Sequence, residues 1–438
     1  MGRRSRESRP DEPLRIEPRI YARSEHSVSR RQISHNALKV LYRLDRCGYQ
    51  AYLVGGGVRD ILLGLEPKDF DIATDAHPEQ IRELFRNSRL IGRRFRLAHV
   101  RFGREVIEVA TFRAGHDGSA EGASIADTGR ILRDNVYGAI DEDVWRRDFT
   151  VNALYYNIKD YSIVDYVGGF EDLRAKRLRL IGDPELRYRE DPVRMLRAVR
   201  FATKLGLAID QPTRDAFAHY GDLLDAIAPA RLFDESLKLF HSGHGLESFE
   251  VLRRQGLFKH LFPLAERSFD ADERAHGLVV AALRSTDERI AQAKSVHPAF
   301  IFAAILWGVV QSNRARLVAE GLDEFEALRV ASDEAITDQV KRVAIPRRFT
   351  AVAREIWLLQ PRLAKRTRKH AGKLLEHPRF RAAYDFLLLR ANGGEPLAEL
   401  GQWWTDLQAA QGQDRLDMLS ELRAKPKRLR TRQRNQAS

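Results

Sequence analysis

The chain has 438 residues, 43% of them hydrophobic, which is enough to bury a large core split among two or three domains. Its 74 Lys and Arg outnumber its 61 Asp and Glu, and the resulting formal charge of +13 favours a polyanionic partner, nucleic acid first. A single cysteine, Cys47, excludes a disulfide framework and a cysteine-based zinc site and suits a reducing cytoplasm.

Residues 1–30 are rich in Arg, Glu, Ser and Pro and lack apolar periodicity, so they read as a disordered basic tail. No apolar segment follows the first arginines, and no secretory signal is expected. From Ile33, SHNALKVLYRLDRCGYQ has the spacing of an amphipathic helix. Strand AYLVGGG, helix VRDILLGL, strand DFDIAT and helix PEQIRELFRN follow, then two strands around RLAHVRF and EVIEVATF. This predicts an α/β domain over residues 31–173, with few strands and helices covering one side. Within it, Ala114 to Arg130 is rich in Gly, Ser, Ala and Asp and reads as a mobile loop. From about Arg174 the pattern is almost all helical, with breaks at Gly206, Pro229, Pro263 and Pro346. A helical neck (174–295) and a helical body (296–408) are expected. Ala299 to Val310 is too short to span a bilayer and reads as a buried helix. Residues 409–438 end in RAKPKRLRTRQRNQAS and read as a second basic disordered tail.

The chemistry is concentrated in LVGGGVRDILLGLEPKDFDIAT. A glycine turn between a strand and a helix lets the backbone approach a ligand and offers free N–H groups to phosphate. That points to Gly55 and Gly56, with Arg59 one turn further on as a charged donor. Side chains alternate across a strand, so Asp69 and Asp71 are expected on one face with Phe70 in the core. Two neighbouring acids repel unless a cation lies between them, and oxygen-only ligands suit Mg²⁺, with Mn²⁺ as the alternative.

These residues resemble the nucleotidyltransferase superfamily, in the branch that holds bacterial poly(A) polymerases and CCA-adding tRNA nucleotidyltransferases. The resemblance implies a small palm sheet with helices at the N-terminal end, followed by helical neck and body domains, so the fold class is α/β plus all-α. It also implies two Mg²⁺ ions on Asp69 and Asp71, one serving the primer 3′-hydroxyl and one the triphosphate. Such a pair stabilises both the attacking and the leaving oxygen of an in-line displacement. Glu108, in the strand Glu105 to Ala110, and Asp148, in RRDFTVNALYY, are the candidates for a third carboxylate. Glu108 is favoured for metal. Asp148 is favoured for a catalytic or nucleotide role because RRDF resembles a family motif assigned to the active site and the incoming ribose, though it would also serve to cap a helix beginning FTVNAL. Arg146 and Asn152 are placed near ribose or phosphate.

In YREDPVRMLRAVRFATKLGL, Asp191 and Pro192 mark a helix start, Val193, Leu196 and Val199 form its apolar stripe, and Arg194, Arg197 and Arg200 recur on another face. Glu190 to Arg194 resembles the family's EDxxR motif, which reads the nucleobase. A carboxylate accepting from an exocyclic amine and an arginine donating to the adjacent ring nitrogen fit adenine and cytosine alike. Asp191, Arg194 and Arg197 are therefore assigned to the base, without separating ATP from CTP. The stretch LIGRRFRLAHV (90–100) resembles the poly(A) polymerase subgroup. The expected activity is template-independent transfer of AMP from ATP to RNA 3′ ends, tagging RNA for decay. A CCA-adding tRNA enzyme and a catalytically silent RNA-binding adaptor are the alternatives. Lys425, Lys427, Arg428 and Arg430 are expected to bind RNA phosphates without reading bases. The expected state is a cytoplasmic monomer that shares its RNA with decay proteins and does not cross a membrane.

Overall fold

The protein is described from a computed structural model, which covers residues 17–92, 96–114, 123–125, 131–134, 136–365 and 368–420. It divides into two compact units, one ending at Leu224 and the other starting at Asp225.

The first unit is built on strands β1 (Arg19–Tyr21), β2 (Ala51–Val54), β3 (Asp71–Thr74), β4 (Ser88–Ile91), β5 (Leu97–Phe102), β6 (Glu105–Thr111), β9 (Leu154–Asn157) and β10 (Ile163–Asp165), with a hairpin of β7 (Ala123–Ile125) and β8 (Ile131–Asp134) outside them. The eight form one sheet in the order β1-β10-β9-β2-β3-β6-β5-β4, antiparallel throughout except for the β3–β6 pair. Helix α1 (His35–Arg46) starts at Ser34, whose hydroxyl accepts from the Ala37 N–H at 3.0 Å, and buries Ala37, Val40, Leu41 and Leu44 at helical spacing. It runs across β2, β3 and β6, where the alternate residues Leu53, Ile72 and Val109 are fully buried. On the other side Val54, Ala73 and Tyr155 pack with Val144 of α4 (Ile140–Arg146). Short helices α2 (Gly56–Leu62), α3 (Pro78–Leu84) and α5 (Gly169–Arg174) connect strands. Beyond the sheet, β11 (Arg177–Leu178) pairs in parallel with β12 (Ala208–Ile209), around α6 (Pro184–Glu190), α7 (Val193–Leu205) and α8 (Gln211–Tyr220).

The second unit is helical: α9 (Pro229–Phe240), α10 (Gly245–Arg254), α11 (Phe258–Leu261), α12 (Pro263–Ala271), α13 (Glu273–Ala291), α14 (Ala299–Ala319), α15 (Glu324–Arg342), α16 (Arg347–Ala364), α17 (Arg368–Leu375), α18 (Phe380–Asn392), α19 (Ala398–Ala409) and α20 (Gly412–Ser420). From Ile301 to Val310 α14 is apolar and buried on every side, as fits a helix on which α12, α13, α15 and α16 all pack. Trp404 is fully buried and donates from Nε1 to the Leu363 carbonyl at 3.1 Å, a packing role.

The α/β-plus-all-α class holds, but four local expectations do not. Residues 19–21, expected in a disordered tail, form β1, paired with β10; Tyr21 is 2% exposed and stacks on Phe170 with ring centroids 3.9 Å apart. A three-residue edge strand has no period to read, and its order comes from the sheet it joins. The sheet has eight strands rather than few, for the same reason. FTVNAL is a single 3₁₀ turn at Thr150–Asn152 leading into β9, not a helix. Residues 412–420, placed in the C-terminal tail, form α20, where Met418 and Leu419 pack against the cluster containing Trp404 and Leu407. Residues 1–16, most of the Ala114–Arg130 loop, Arg93 to Phe95 and the basic run from 421 onward lie outside the described residues.

Candidate active site

Strand register builds the site. Val54, the last residue of β2, faces Asp71, the first residue of β3, and Asp71 in turn faces Glu108 on the parallel strand β6. The two carboxylates therefore leave adjacent strands on the same face. The chain must turn sharply at Gly55 to start α2, and its φ of 68° with ψ of −133° is open only to glycine. A side chain there would lie 3.9 Å from Asp71 Oδ2 and 3.8 Å from Arg147 Nη1, so the missing Cβ leaves a small cradle between an acid and a base.

Asp69 is exposed and precedes the strand rather than standing in it, and Phe70 is only half-buried, lying against the first turn of α2 near Gly57. The expected core position for Phe70 is thus corrected: the strand begins two residues late because Asp69 and Phe70 wrap around α2. Asp69 still acts on Asp71. Burial first, then the charges of Glu108 and Asp69, push the Asp71 carboxyl up to about 6, opposed by Arg147. Glu108 is exposed and lies 3.1 Å from Nε2 of His99, its register partner on β5.

Oxygen donors crowded in this way fit a hard divalent cation. Among the described residues, no three His, Cys, Asp or Glu side chains converge closely enough to enclose an ion by themselves.

Asp148 stands apart from this cluster. Its Oδ2 accepts from Nε of Arg197 at 2.8 Å and from Nη2 of the same guanidinium, while its Oδ1 accepts from Asn152 Nδ2 at 3.0 Å and from the Phe149 N–H at 2.8 Å. Burial alone would raise its pKa, but Arg197 and these hydrogen bonds hold it well below the usual carboxylate range. The geometry thus puts Glu108, not Asp148, beside Asp71, and ties Asp148 to Arg197. Asn152 bridges onward, accepting from Arg59 Nη1 at 2.6 Å.

Arg59 is 4% exposed, with Nε and Nη2 on Asp60 Oδ1 at 2.8 and 2.6 Å and its guanidinium 5.1 Å from the Phe201 ring centroid. The expected triphosphate donor is therefore folded back beneath Gly56, because a buried acid lies next to it in sequence.

Arg194, also buried, donates from Nη1 to Glu190 Oε2 at 2.8 Å and to the Arg187 carbonyl at 2.7 Å; among the described residues its Nε and Nη2 have no protein partner. Asp191 accepts from the Val193 N–H at 3.2 Å but closes α6, and the N-cap of α7 is Pro192 rather than the expected Asp191. The acid tied to Arg194 is thus Glu190 rather than Asp191. Arg197, assigned to the base, has Asp148 as its partner.

Sequence reasoning passed over Arg147 and Arg187. Arg147 Nε donates to Tyr155 Oη at 2.7 Å, and its Nη2 meets Asp143 Oδ2 at 3.1 Å. Burial would lower its pKa, but Tyr155 and Asp143 more than restore the charge, so it remains a fixed cation beside Asp71. It is the second arginine of RRDF, and only that adjacency signalled it. Arg187 donates from Nη1 to Glu190 Oε2 at 2.6 Å, so one carboxylate serves two arginines. Burial, then the charge of Arg113, lowers Arg146 to about 10; burial, then the charge of Arg194, lowers Arg187 to about 10. An incoming polyanion relieves such crowding. Lys425, Lys427, Arg428 and Arg430 lie outside the described residues.

Comparison with known proteins gives this geometry a family. Residues 51–179 match the poly A polymerase head domain, residues 206–269 the probable RNA and SrmB-binding site of polymerase A, and residues 320–437 the polymerase A arginine-rich C-terminus. The chain is 49% identical to poly(A) polymerase I of Salmonella typhimurium strain LT2, covering 95% of this chain and 92% of that one. It is 47% identical to poly(A) polymerase I of Haemophilus influenzae, over 97% and 96% of the two chains. Likeness to the CCA-adding enzyme of Lactobacillus helveticus falls to 33% over 58% of this chain and 65% of that one. Among solved structures, the Bacillus stearothermophilus CCA-adding enzyme in complex with CTP superposes with a TM-score of 0.56 and 25% identity, over 87% and 86% of the chains. Identity near one half across nearly the whole length, with head and C-terminal models both matched, shows that the chain belongs to the bacterial poly(A) polymerase I family.

Proposed function

We propose that the chain transfers AMP from ATP to RNA 3′ ends without a template and releases pyrophosphate. The observation that carries this reading is the register of Asp71 with Glu108 beside the Gly55 turn, in a chain of this family. Asp69, Asp71 and Glu108 are the residues that would hold Mg²⁺, which when bound neutralises the triphosphate and favours ionisation of the attacking hydroxyl. Gly55 and Gly56 let the backbone approach the triphosphate. The crowded arginines Arg146, Arg187 and Arg194 face its charge, and the Nε and Nη2 of Arg194 are available to a base. Asp148 is a positioning residue: it fixes Arg197 and, through Asn152, the buried Arg59. The 3′ oxygen attacks the α-phosphorus, the bond to the β-phosphate oxygen breaks, and pyrophosphate leaves; positioning and charge neutralisation carry most of such a transfer.

The second reading, a CCA-adding enzyme, has behind it the shared fold and 33% identity over 58% of this chain. Purified protein with Mg²⁺ and either labelled oligo(A) or tRNA trimmed at its 3′ end, given ATP or CTP separately, decides between them. Long A-tails on generic RNA are expected. Efficient CTP incorporation that stops after a few nucleotides would overturn the assignment. Deleting residues 424–438 removes Lys425, Lys427, Arg428, Arg430, Arg432 and Arg434, and the salt slope of single-strand RNA binding is expected to fall by up to about 4. An unchanged slope would leave the tail a role in solubility alone. Among the described residues no helix is long and apolar enough to cross a membrane.

A further inference from the structure

We propose that a cleft lined by one face of α1 docks single-stranded RNA upstream of the growing 3′ end. This rests on the reading of the chain as an RNA-extending enzyme.

The cleft has a volume of about 650 Å³ and no Asp or Glu lines it. Lys39, Arg43 and Arg46 recur at helical spacing along the exposed face of α1, and among the described residues none of the three has an acidic partner. Two of them lie over aromatic rings instead: Lys39 Nζ is 6.0 Å from the Phe102 centroid, and the Arg43 guanidinium is 5.4 Å from that of Phe85. Half-buried Tyr42 and Phe102 contribute flat walls, and Arg30 Nη1 donates to Tyr42 Oη at 2.9 Å. Uncompensated cations interleaved with rings are what a phosphate backbone with unstacked bases requires. An acidic peptide would use the charges but not the rings. α1 covers the side of the sheet marked by Leu53, Ile72 and Val109, and Asp71 is in phase with Ala73 on the other side. The cleft is therefore separate from the carboxylates and suits RNA already extended past them.

The chain's single cysteine, Cys47, is exposed at the rim of this cleft and serves as a native reporter. In the full-length wild-type protein, alkylation of Cys47 by a maleimide is expected to slow about tenfold with saturating long oligo(A) and hardly at all with a very short primer or polyglutamate. In Lys39→Glu/Arg43→Glu protein, KM for the long RNA is expected to rise about tenfold and the salt slope of its binding to fall by at least about 1.4. Extension of the short primer should be unchanged. An alkylation rate indifferent to RNA at concentrations that saturate extension overturns the proposal, as does equal protection by polyglutamate, which makes the cleft a site for acidic protein. Failure of short-primer extension in the wild type would instead strike the assigned activity, while Cys47 protection still reports docking.

Discussion

Two regions of the first unit handle charge in opposite ways. Where β3 meets β6, Asp71 and Glu108 share a register within reach of Asp69's charge, and Arg147 is the cation set against Asp71. On α6 and α7 the long side chains are tied down: Glu190 accepts from both Arg187 and Arg194, and Asp148 holds Arg197 from two nitrogens. Like charges left together cost stability and invite a counter-ion; opposite charges already paired fix a geometry before any ligand arrives. The first region thus leaves like-charged acids together; the second fixes its arginines on shared carboxylates, although Arg187 stays crowded by Arg194.

Removing Asp71 is the strongest challenge to this contrast. Asp71→Ala is expected to lower AMP transfer by about a thousandfold or more, since a metal-held charge is worth several kcal/mol in the transition state. RNA binding measured by filter retention should stay near wild type; turnover within tenfold would sink the metal assignment. Asp148→Ala should act on the fold instead. Removing Asp148 strips Arg197, Asn152 and the Phe149 N–H of a charged acceptor, and urea unfolding should show a loss of about 2 kcal/mol; a loss within error would mean that the frame does not depend on this pair. Glu108→Gln is expected to raise the half-saturating Mg²⁺ concentration by about ten- to a hundredfold, and His99→Ala, which only releases Glu108, by about tenfold or less. Equal effects from both would say that the two act as one unit.

A further test is the pH dependence of the metal-free protein. Asp71 has a folded-state value of about 6 against an ordinary 3.8, so this group favours the fold while protonated. That contribution is complete below 3.8 and is lost as pH rises through about 6. Compared with Asp71→Asn, metal-free wild type should therefore lose stability across that window, and saturating Mg²⁺ should flatten the difference. Asp148 has the opposite sign: its depressed value contributes stability above 3.8 that disappears as pH falls. A wild-type minus Asp71→Asn difference that does not move across the window would remove the strained-acid half of the comparison.

Much of the site was legible from residue order. A glycine turn and a strand's period are local patterns, so the Gly55 turn and Asp71 at the head of β3 were legible, whereas Asp69 fell outside the strand and the N-cap of α7 moved from Asp191 to Pro192. What failed was partner choice. Asp60 adjoins Arg59 in sequence, yet adjacency alone does not say that it turns Arg59 inward rather than leaving it for phosphate, and nothing local sets Glu190 ahead of Asp191 as the acid for Arg194. Arg147 looked like a neighbour of Arg146 until Tyr155 and Asp143, on separate elements, closed around it. β1 was missed because three residues carry no period and take their order from β10.

The sequence by itself determined the residue types on offer: an excess of cations, a glycine turn open to close approach, and acids two residues apart. Those are properties of residue type and short spacing. Only the tertiary structure decided which acid joins which, because a parallel register sets Asp71 against Glu108 across 37 positions of chain, while a helix packed against the RRDF turn hands Asp148 to Arg197. Charge pairing falls steeply with distance, so the fold's few ångströms of placement, not the composition, separate a ligand site from its support.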